Sequence, residues 1–334
     1  MSALTHGYQH WQGTSTSIWQ RRWTITRTGL RLCWRSKLLK GIFAVVWVSA
    51  LGLIAFHFLV GQMLSSESAL VAFVTQNFGR KAKAITDGLA AWILLYPDVT
   101  IDGLFRFTLL YISILYSTLC YFAVALFVPK LISHDLSSRA ILIYNSKALT
   151  RFDYLLGKFG IVFVILSLLV VAPLTVIWFL SNLLSPDWSF FWHGFPALVR
   201  ALAAGSITVM ALSLLALAVS ALVKKTSTAT ALWIVLWLVS GFIASAAEQV
   251  FPWGHYLSPA NCLREITAQL FDVGGVVDTA KQSLPFFDSF LKTLPRKSSI
   301  VAETVQGDAW VPYGFLLGFC LLSLFAIGKR VQSE

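Results

Sequence analysis

Charged side chains are scarce in this chain. Only 12% of its 334 residues are charged, whereas 57% are hydrophobic, and the mean hydropathy is +0.73. In soluble domains about a quarter of the residues are charged. The composition therefore excludes an ordinary soluble domain and indicates a membrane protein.

Motifs for nucleotide binding and catalysis are also lacking. No P-loop motif occurs; the pair Gly157-Lys158, for example, has Phe152 where the first glycine would stand. No H-E-x-x-H motif occurs either, and the six histidines are isolated. We therefore expect no enzymatic activity and no cofactor bound by this chain. The scattered cysteines predict neither a disulfide framework nor a metal site: Cys33, Cys120, Cys262 and Cys320.

Long apolar runs are what the sequence has instead. A helix needs roughly 20 apolar residues to cross the hydrocarbon core of a membrane. Six runs of about this length predict an all-α, polytopic transmembrane bundle that forms a single domain over residues 1–334. The predicted spans are Gly41–Met63, Phe107–Val128, Ile161–Leu184, Ala201–Val223, Thr228–Ala247 and Val311–Ile327.

The distribution of Lys and Arg predicts the orientation of these spans. Sixteen of the 26 basic residues lie in segments 17–40, 129–158, 224–225 and 329–330. Positively charged loops tend to stay in the cytoplasm, so we expect both termini there. Because these cations flank the spans, the net charge of +11 indicates membrane lipids as a partner rather than nucleic acid.

Residues 17–40 have the pattern of an amphipathic helix at the membrane interface. On a helix, Trp19, Trp23 and Trp34 share one sector with Leu30 and Cys33, and arginines lie roughly opposite. The alternative is a basic flank of the first span that happens to contain tryptophan, and Gly29 weakens the helix prediction.

The longest hydrophilic segment, residues 251–310, lies between the fifth and sixth spans. We expect it to form a small extracytoplasmic cap with a helix around Asn261–Phe271. A second outer segment, 64–104, contains an apolar stretch, Leu89–Tyr96, that is too short to span the membrane.

The cytoplasmic segment 129–158 carries the strongest functional signal. Ser133 or Asp135 is predicted to cap a short helix that extends to Arg139, and Thr150 and Asp153 form a capping-box pattern at the start of the third span. Such a helix could present its charges to a soluble partner. The alternative is a solvated loop whose charges only fix the topology. The candidate partner-binding residues are His134, Asp135, Leu136, Arg139, Arg151 and Asp153.

Within this segment, D-L-x-S-R-A at Asp135–Ala140 is followed by I-Y-N-S-K-A-L-T-R-x-D-Y-L-L-G-K at Ile143–Lys158. This stretch of about 30 residues resembles the membrane subunits of type-2 ABC transporters. The resemblance implies that segment 129–158 couples the chain to separate P-loop ATPase subunits, expected in two copies, which bind ATP-Mg. It also implies a second permease chain, outward transport and a bacterial inner membrane. The long outer segments leave the substrate open.

Other functions remain as alternatives: a non-transporting scaffold or mechanotransducing subunit of an ABC-type complex, an ion-coupled carrier, or an intramembrane enzyme. Ion-coupled carriers usually keep ionisable residues within their spans. Here the spans are almost free of them, and we interpret His57 as a buried histidine with hydrogen-bond partners rather than a proton relay. The uncharged, aromatic-rich spans suit an amphipathic or lipid-linked substrate, and they equally suit helices that only face lipid.

The fifth predicted span suggests a subunit interface. Trp233 and Trp237 lie one turn apart and are followed by Gly241 and Ser245, whose small side chains permit close helix approach. The same residues could instead pack helices within one chain.

Overall fold

The computed structural model describes residues 17–63, 95–128, 131–137, 150–185, 188–272 and 309–332, together with the single residues 76, 274, 275 and 278. This part of the chain is helical and contains no strand. The helices are α1 Ile18–Cys33, α2 Lys37–Met63, α3 Pro97–Phe127, α4 Ile132–Ser137, α5 Arg151–Leu169, α6 Val171–Leu183, α7 Ser189–Leu222, α8 Thr226–Glu248, a 3₁₀ helix Gly254–Leu257, α9 Pro259–Phe271 and α10 Val311–Gln332.

Six helical segments are long and apolar enough to cross a membrane, which confirms the prediction of an all-α bundle with six spans. They are built on α2, α3, the pair α5–α6, α7, α8 and α10. Residues 89–94 of the apolar loop stretch and most of segment 273–308 lie outside the described residues.

Three spans begin a few turns before their predicted starts. Helix α3 begins at Pro97 rather than Phe107, α5 begins at Arg151 rather than Ile161, and α7 begins at Ser189 rather than Ala201. Each added stretch contains ionisable residues, which ended the apolar runs in the sequence. In the fold Arg106 pairs with Asp102, Lys158 with Asp135 and Arg200 with Asp272, as described below, so the charge of these residues does not end the helix.

The third span is broken in its middle. Helix α5 ends at Leu169 and α6 begins at Val171, and the joining Val170 has φ −117° and ψ −63°. Pro173 lies three residues further on. Because proline lacks an N–H and its ring clashes with the carbonyl four residues earlier, Pro173 explains the break.

Helix α7 lies at the centre of the bundle and contacts α3, α5, α6, α9 and α10. Its buried side is rich in alanine, which lets the neighbouring helices approach closely. The fully buried alanines include Ala197, Ala201 and Ala216. Helices α8 and α10 are peripheral, and only 17% and 22% of their spans are buried in the bundle.

Candidate functional site at the α4 end of the bundle

Helix α4 lies where α3 and α7 end and α5 begins, and we call this region the α4 end. Ser220 of α7 links these elements: its hydroxyl donates to the Val128 carbonyl oxygen (2.9 Å) and accepts from the backbone N–H groups of Ile132 (2.9 Å) and Ser133 (3.1 Å). The first N–H groups of a helix have no intrahelical partner. Ser220 therefore replaces the cap that was predicted from Ser133 or Asp135. That prediction is wrong, because both residues lie within the helix.

A buried ion pair joins α4 to the first turns of α5. Lys158 Nζ lies 2.7 Å from Asp135 Oδ2, and both side chains are about nine-tenths buried. The Tyr154 hydroxyl donates to the same carboxylate oxygen (2.6 Å), and Lys158 also donates to the Leu131 carbonyl oxygen (3.0 Å). Such a pair needs additional hydrogen bonds to offset the loss of hydration, and both ions have them here.

A second ion pair connects α1 to the N-terminus of α5. Thr150 and Asp153 form the predicted capping box, which the structure confirms: the Thr150 hydroxyl oxygen accepts from the Asp153 N–H, and the Asp153 carboxylate accepts from the Thr150 N–H. The other oxygen of Asp153 accepts from the guanidinium of Arg22 at 2.5 and 2.6 Å. Asp153 therefore caps α5 and fixes α1 at the same time.

Glycines allow α1 and α5 to approach closely. A Cβ on Gly29 would lie 2.1 Å from Ile161 Cδ1, and one on Gly157 would lie 2.9 Å from the Ile25 side chain. Thr26, which is buried between them, donates to the Gly157 carbonyl oxygen (2.9 Å). Gly29, which weakened the helix prediction, is therefore the point where α1 packs most tightly against α5.

The structure corrects the expectation that Asp135 and Asp153 are presented to a partner. Asp135 and Asp153 are buried and bind side chains of the same chain. His134 is exposed. Arg139 and the side chains of Leu136 and Arg151 lie outside the described residues.

Five contributors to this site were missed by sequence reasoning: Arg22, Phe152, Tyr154, Lys158 and Ser220. Tyr154 and Lys158 are four residues apart on a helix, and this spacing could have placed them on one face. No sequence signal connected Ser220 to α4. Phe152 exposes 65% of its surface beside the capping box, and large exposed apolar residues often mark contacts with a partner or with lipid.

The three tryptophans predicted for the interface lie on or directly after α1. Trp19, Trp23 and Trp34 are 76%, 57% and 47% exposed, and the Arg22 guanidinium lies 5.0 Å from the ring centre of Trp19. Cys33, which was assigned to the same sector, instead points into the core.

Trp233, which was assigned to a possible subunit interface on α8, is instead a core residue. Its side chain is 1% exposed, and its ring N–H donates to the Tyr121 carbonyl oxygen (2.9 Å). Trp237 stacks on the Tyr121 ring. Ser245 is exposed, and a Cβ on Gly241 would meet no atom within 4 Å.

At the opposite end of the bundle, charged residues surround the C-terminus of α9, and we call this region the α9 end. Arg106 pairs with Asp102 one turn earlier on α3 (2.5 Å) and lies 3.5 Å from the Asp272 carboxylate. Arg200 of α7 donates to the Leu270 carbonyl oxygen (3.1 Å) and lies 3.7 Å from Asp272. Asp272, in the left-handed conformation with φ 47°, ends α9.

Helix α9 packs into the bundle by one apolar face. Cys262, Leu263 and Ile266 are buried against α3, α7 and α10. Burial raises the pKa of the Cys262 thiol to about 12, so the thiol stays protonated at neutral pH.

His57 is buried and has two hydrogen-bond partners, as expected. Its Nδ1 donates to the Leu53 carbonyl oxygen (2.8 Å), and its Nε2 lies 3.2 Å from the Thr108 hydroxyl. The ring stacks on Phe105.

Together these features define a polytopic α-helical membrane protein in which ion pairs connect the helices at the α4 end. No protein-family model matches the chain, and no curated protein sequence matches it significantly.

Proposed function

We propose that this chain is the membrane permease subunit of an ATP-driven exporter of the type-2 ABC class, working with a separate P-loop ATPase. The observation that carries the proposal is the buried contact of Asp135 with Tyr154 and Lys158. All three residues belong to the segment that resembles the coupling region of that class. Because they join α4 to α5, a partner that displaced α4 would move the start of the third span with it.

In this proposal the α4 end faces the cytoplasm, because most Lys and Arg residues lie in segments at that end. Both termini are then cytoplasmic, α1 lies at the inner surface of the membrane, and α9 belongs to an extracytoplasmic cap. The uncharged spans suit an amphipathic or lipid-linked substrate. A second permease chain would pack on the exposed side of α8, near Gly241 and Ser245.

Asp135 is unsuitable as a probe of partner binding, because reversing its charge would break an internal ion pair. The exposed residues His134 and Phe152 are better probes, since changing them leaves Asp135, Tyr154 and Lys158 intact. Trp310, which is 81% exposed at the opposite end of the bundle, provides a matched aromatic control.

The test is a pull-down of the tagged chain in mild detergent, with mass spectrometry of its partners and an ATPase assay. We expect a stoichiometric P-loop ATPase with the wild-type chain, its loss with His134→Glu/Phe152→Asp, and its retention with Trp310→Asp. A chain that purifies without an ATPase would overturn the proposal. An ATPase that both variants retain would show that it binds elsewhere than at the α4 end.

A further inference from the structure

Helix α1 has three distinct sides. Arg22, Thr26 and Gly29 pack against α5. At 100° per residue, the stripe formed by Trp19, Trp23 and Trp34 lies roughly a quarter turn from this packing side. Arg27 and Arg31 lie roughly a fifth of a turn beyond the tryptophan stripe, on the side away from α5, and both are exposed. Aromatic and cationic surfaces are therefore adjacent, and both face away from the bundle.

The contacts of α1 place it at the end of the bundle rather than beside its middle. Arg22 and Gly29 lie against Asp153 and Ile161, the first turns of α5. Lys158, in the middle of this stretch, reaches the Leu131 carbonyl just beyond the end of α3. Helix α2, the first span, begins at Lys37, directly after α1. This is the depth of the lipid head groups, where tryptophan is enriched in membrane proteins.

All the charged residues of α1 and of the start of α2 are basic. The chain has no Asp or Glu before Glu67, whereas residues 21–40 contain seven Lys and Arg. Arg22 is paired with Asp153 of α5. Five of the others are exposed: Arg27, Arg31, Arg35, Lys37 and Lys40. This segment therefore has no acidic residue of its own to neutralise its exposed cations.

We propose that α1 is a binding surface for anionic phospholipid head groups, with its tryptophans at head-group depth and Arg27, Arg31 and Arg35 on the lipid phosphates. Basic residues beside apolar ones bind anionic membranes by combining burial with charge attraction. The proposal does not depend on transport or on an ATPase partner. Its consequence is that the lipid surface holds α5 in place, because Arg22, Thr26 and Gly29 fix α1 to that helix.

The test uses the full-length chain in mixed micelles with equal amounts of phosphatidylglycerol and phosphatidylcholine, and native mass spectrometry counts the lipids retained. Three variants are compared with the wild type. Arg27→Gln/Arg31→Gln/Arg35→Gln removes the proposed cations, and Arg27→Lys/Arg31→Lys/Arg35→Lys keeps their charge. Lys224→Gln/Lys225→Gln removes two exposed cations at the same end of the bundle but away from α1.

We expect the wild type to retain phosphatidylglycerol in preference to phosphatidylcholine. Each Arg-to-Gln change should weaken phosphatidylglycerol binding roughly fivefold at low salt. The Arg-to-Lys variant should bind phosphatidylglycerol as the wild type does. The Lys224/Lys225 variant should lose less phosphatidylglycerol affinity for each charge removed. In about 0.5 M salt the preference should shrink, because head-group attraction is screened.

Equal phosphatidylglycerol retention by the wild type and the Arg-to-Gln variant would overturn the proposal. So would a variant that keeps its lipid but loses a co-purifying protein, because α1 would then be a protein-docking surface. An unchanged melting temperature of the Arg-to-Gln variant provides the control for folding, since all three arginines are exposed.

Discussion

The two ends of the bundle both use ion pairs, but they use them differently. At the α4 end, tight pairs join different helices: Asp135 to Lys158 at 2.7 Å and Asp153 to Arg22 at 2.5 Å, with both carboxylates about nine-tenths buried. At the α9 end, the tight pair lies within α3, and the links between helices run to Asp272, which is 54% exposed, at 3.5 and 3.7 Å.

This difference indicates two kinds of contact between helices. A buried pair is costly to break, because the remaining ion loses its partner without regaining water. An exposed pair contributes little and is screened by salt. We therefore infer that the α4 end behaves as one rigid unit of α1, α4 and α5, whereas the ion pairs at the α9 end contribute little and the buried apolar face of α9 holds it against α3 and α7.

The largest effect should come from removing one ion of the buried pair. Lys158→Met leaves Asp135 buried without its cation and should lower the free energy of unfolding by about 3–5 kcal/mol. Asp135→Asn/Lys158→Met should recover most of this loss, because no charge remains. Thermal unfolding in detergent measures both. A double variant as unstable as Lys158→Met would contradict the assignment of a paired, buried charge.

Adding a methyl group tests the packing of each end. A Cβ on Gly254 would lie 2.3 Å from the Ala247 carbonyl carbon, which is backbone, whereas a Cβ on Gly29 would meet the tip of the Ile161 side chain. Gly254→Ala should cost about 1–3 kcal/mol. Gly29→Ala should cost less, because the Ile161 side chain can move.

The matched control for this pair is Ile161→Ala, measured in the same unfolding assay. Ile161→Ala should reduce the loss of unfolding free energy caused by Gly29→Ala, but it should leave the loss caused by Gly254→Ala unchanged. Equal costs for the two glycines, with no relief from Ile161→Ala, would mean that the contact between α1 and α5 is looser than the structure indicates.

Breaking the Arg22–Asp153 pair should have an intermediate effect, because Arg22 is 22% exposed. Arg22→Gln should cost about 1 kcal/mol. The more sensitive readout is limited proteolysis, since a released α1 should be cleaved faster while the spans stay protected. In detergent without anionic lipid, Arg27→Gln, five residues further on and exposed, is the control and should not change the cleavage rate.

The smallest effects are expected at Asp272. Asp272→Asn removes the carboxylate that faces Arg106 and Arg200, and should cost less than about 1 kcal/mol, with a smaller effect in high salt. Asp272→Gly loses the same carboxylate but removes the strain of φ 47°, so it should be more stable than Asp272→Asn. A large loss in either variant, measured by thermal unfolding, would show that the α9 end is as rigid as the α4 end.

Several features could be predicted from the sequence because they depend on neighbouring residues. Apolar runs specify spans, and Thr150 and Asp153 are close enough along the chain to form their capping box unaided. Dependence on neighbouring residues also explains why the second and third spans were predicted to start too late. Arg106 and Lys158 look like the ends of apolar runs until their ion-pair partners are known.

The sequence by itself determined the helical class, the six spans, the cap of α5 and the concentration of positive charge near one end of them. The tertiary structure alone decided what Asp135, Asp153 and Lys158 of segment 129–158 do. Asp135 and Asp153 look like surface charges in the sequence, but Lys158 and Arg22 neutralise them in the interior, and Arg22 is 131 positions from its partner. Contacts at such distances depend on how the helices pack, and a local pattern of residues carries no information about them.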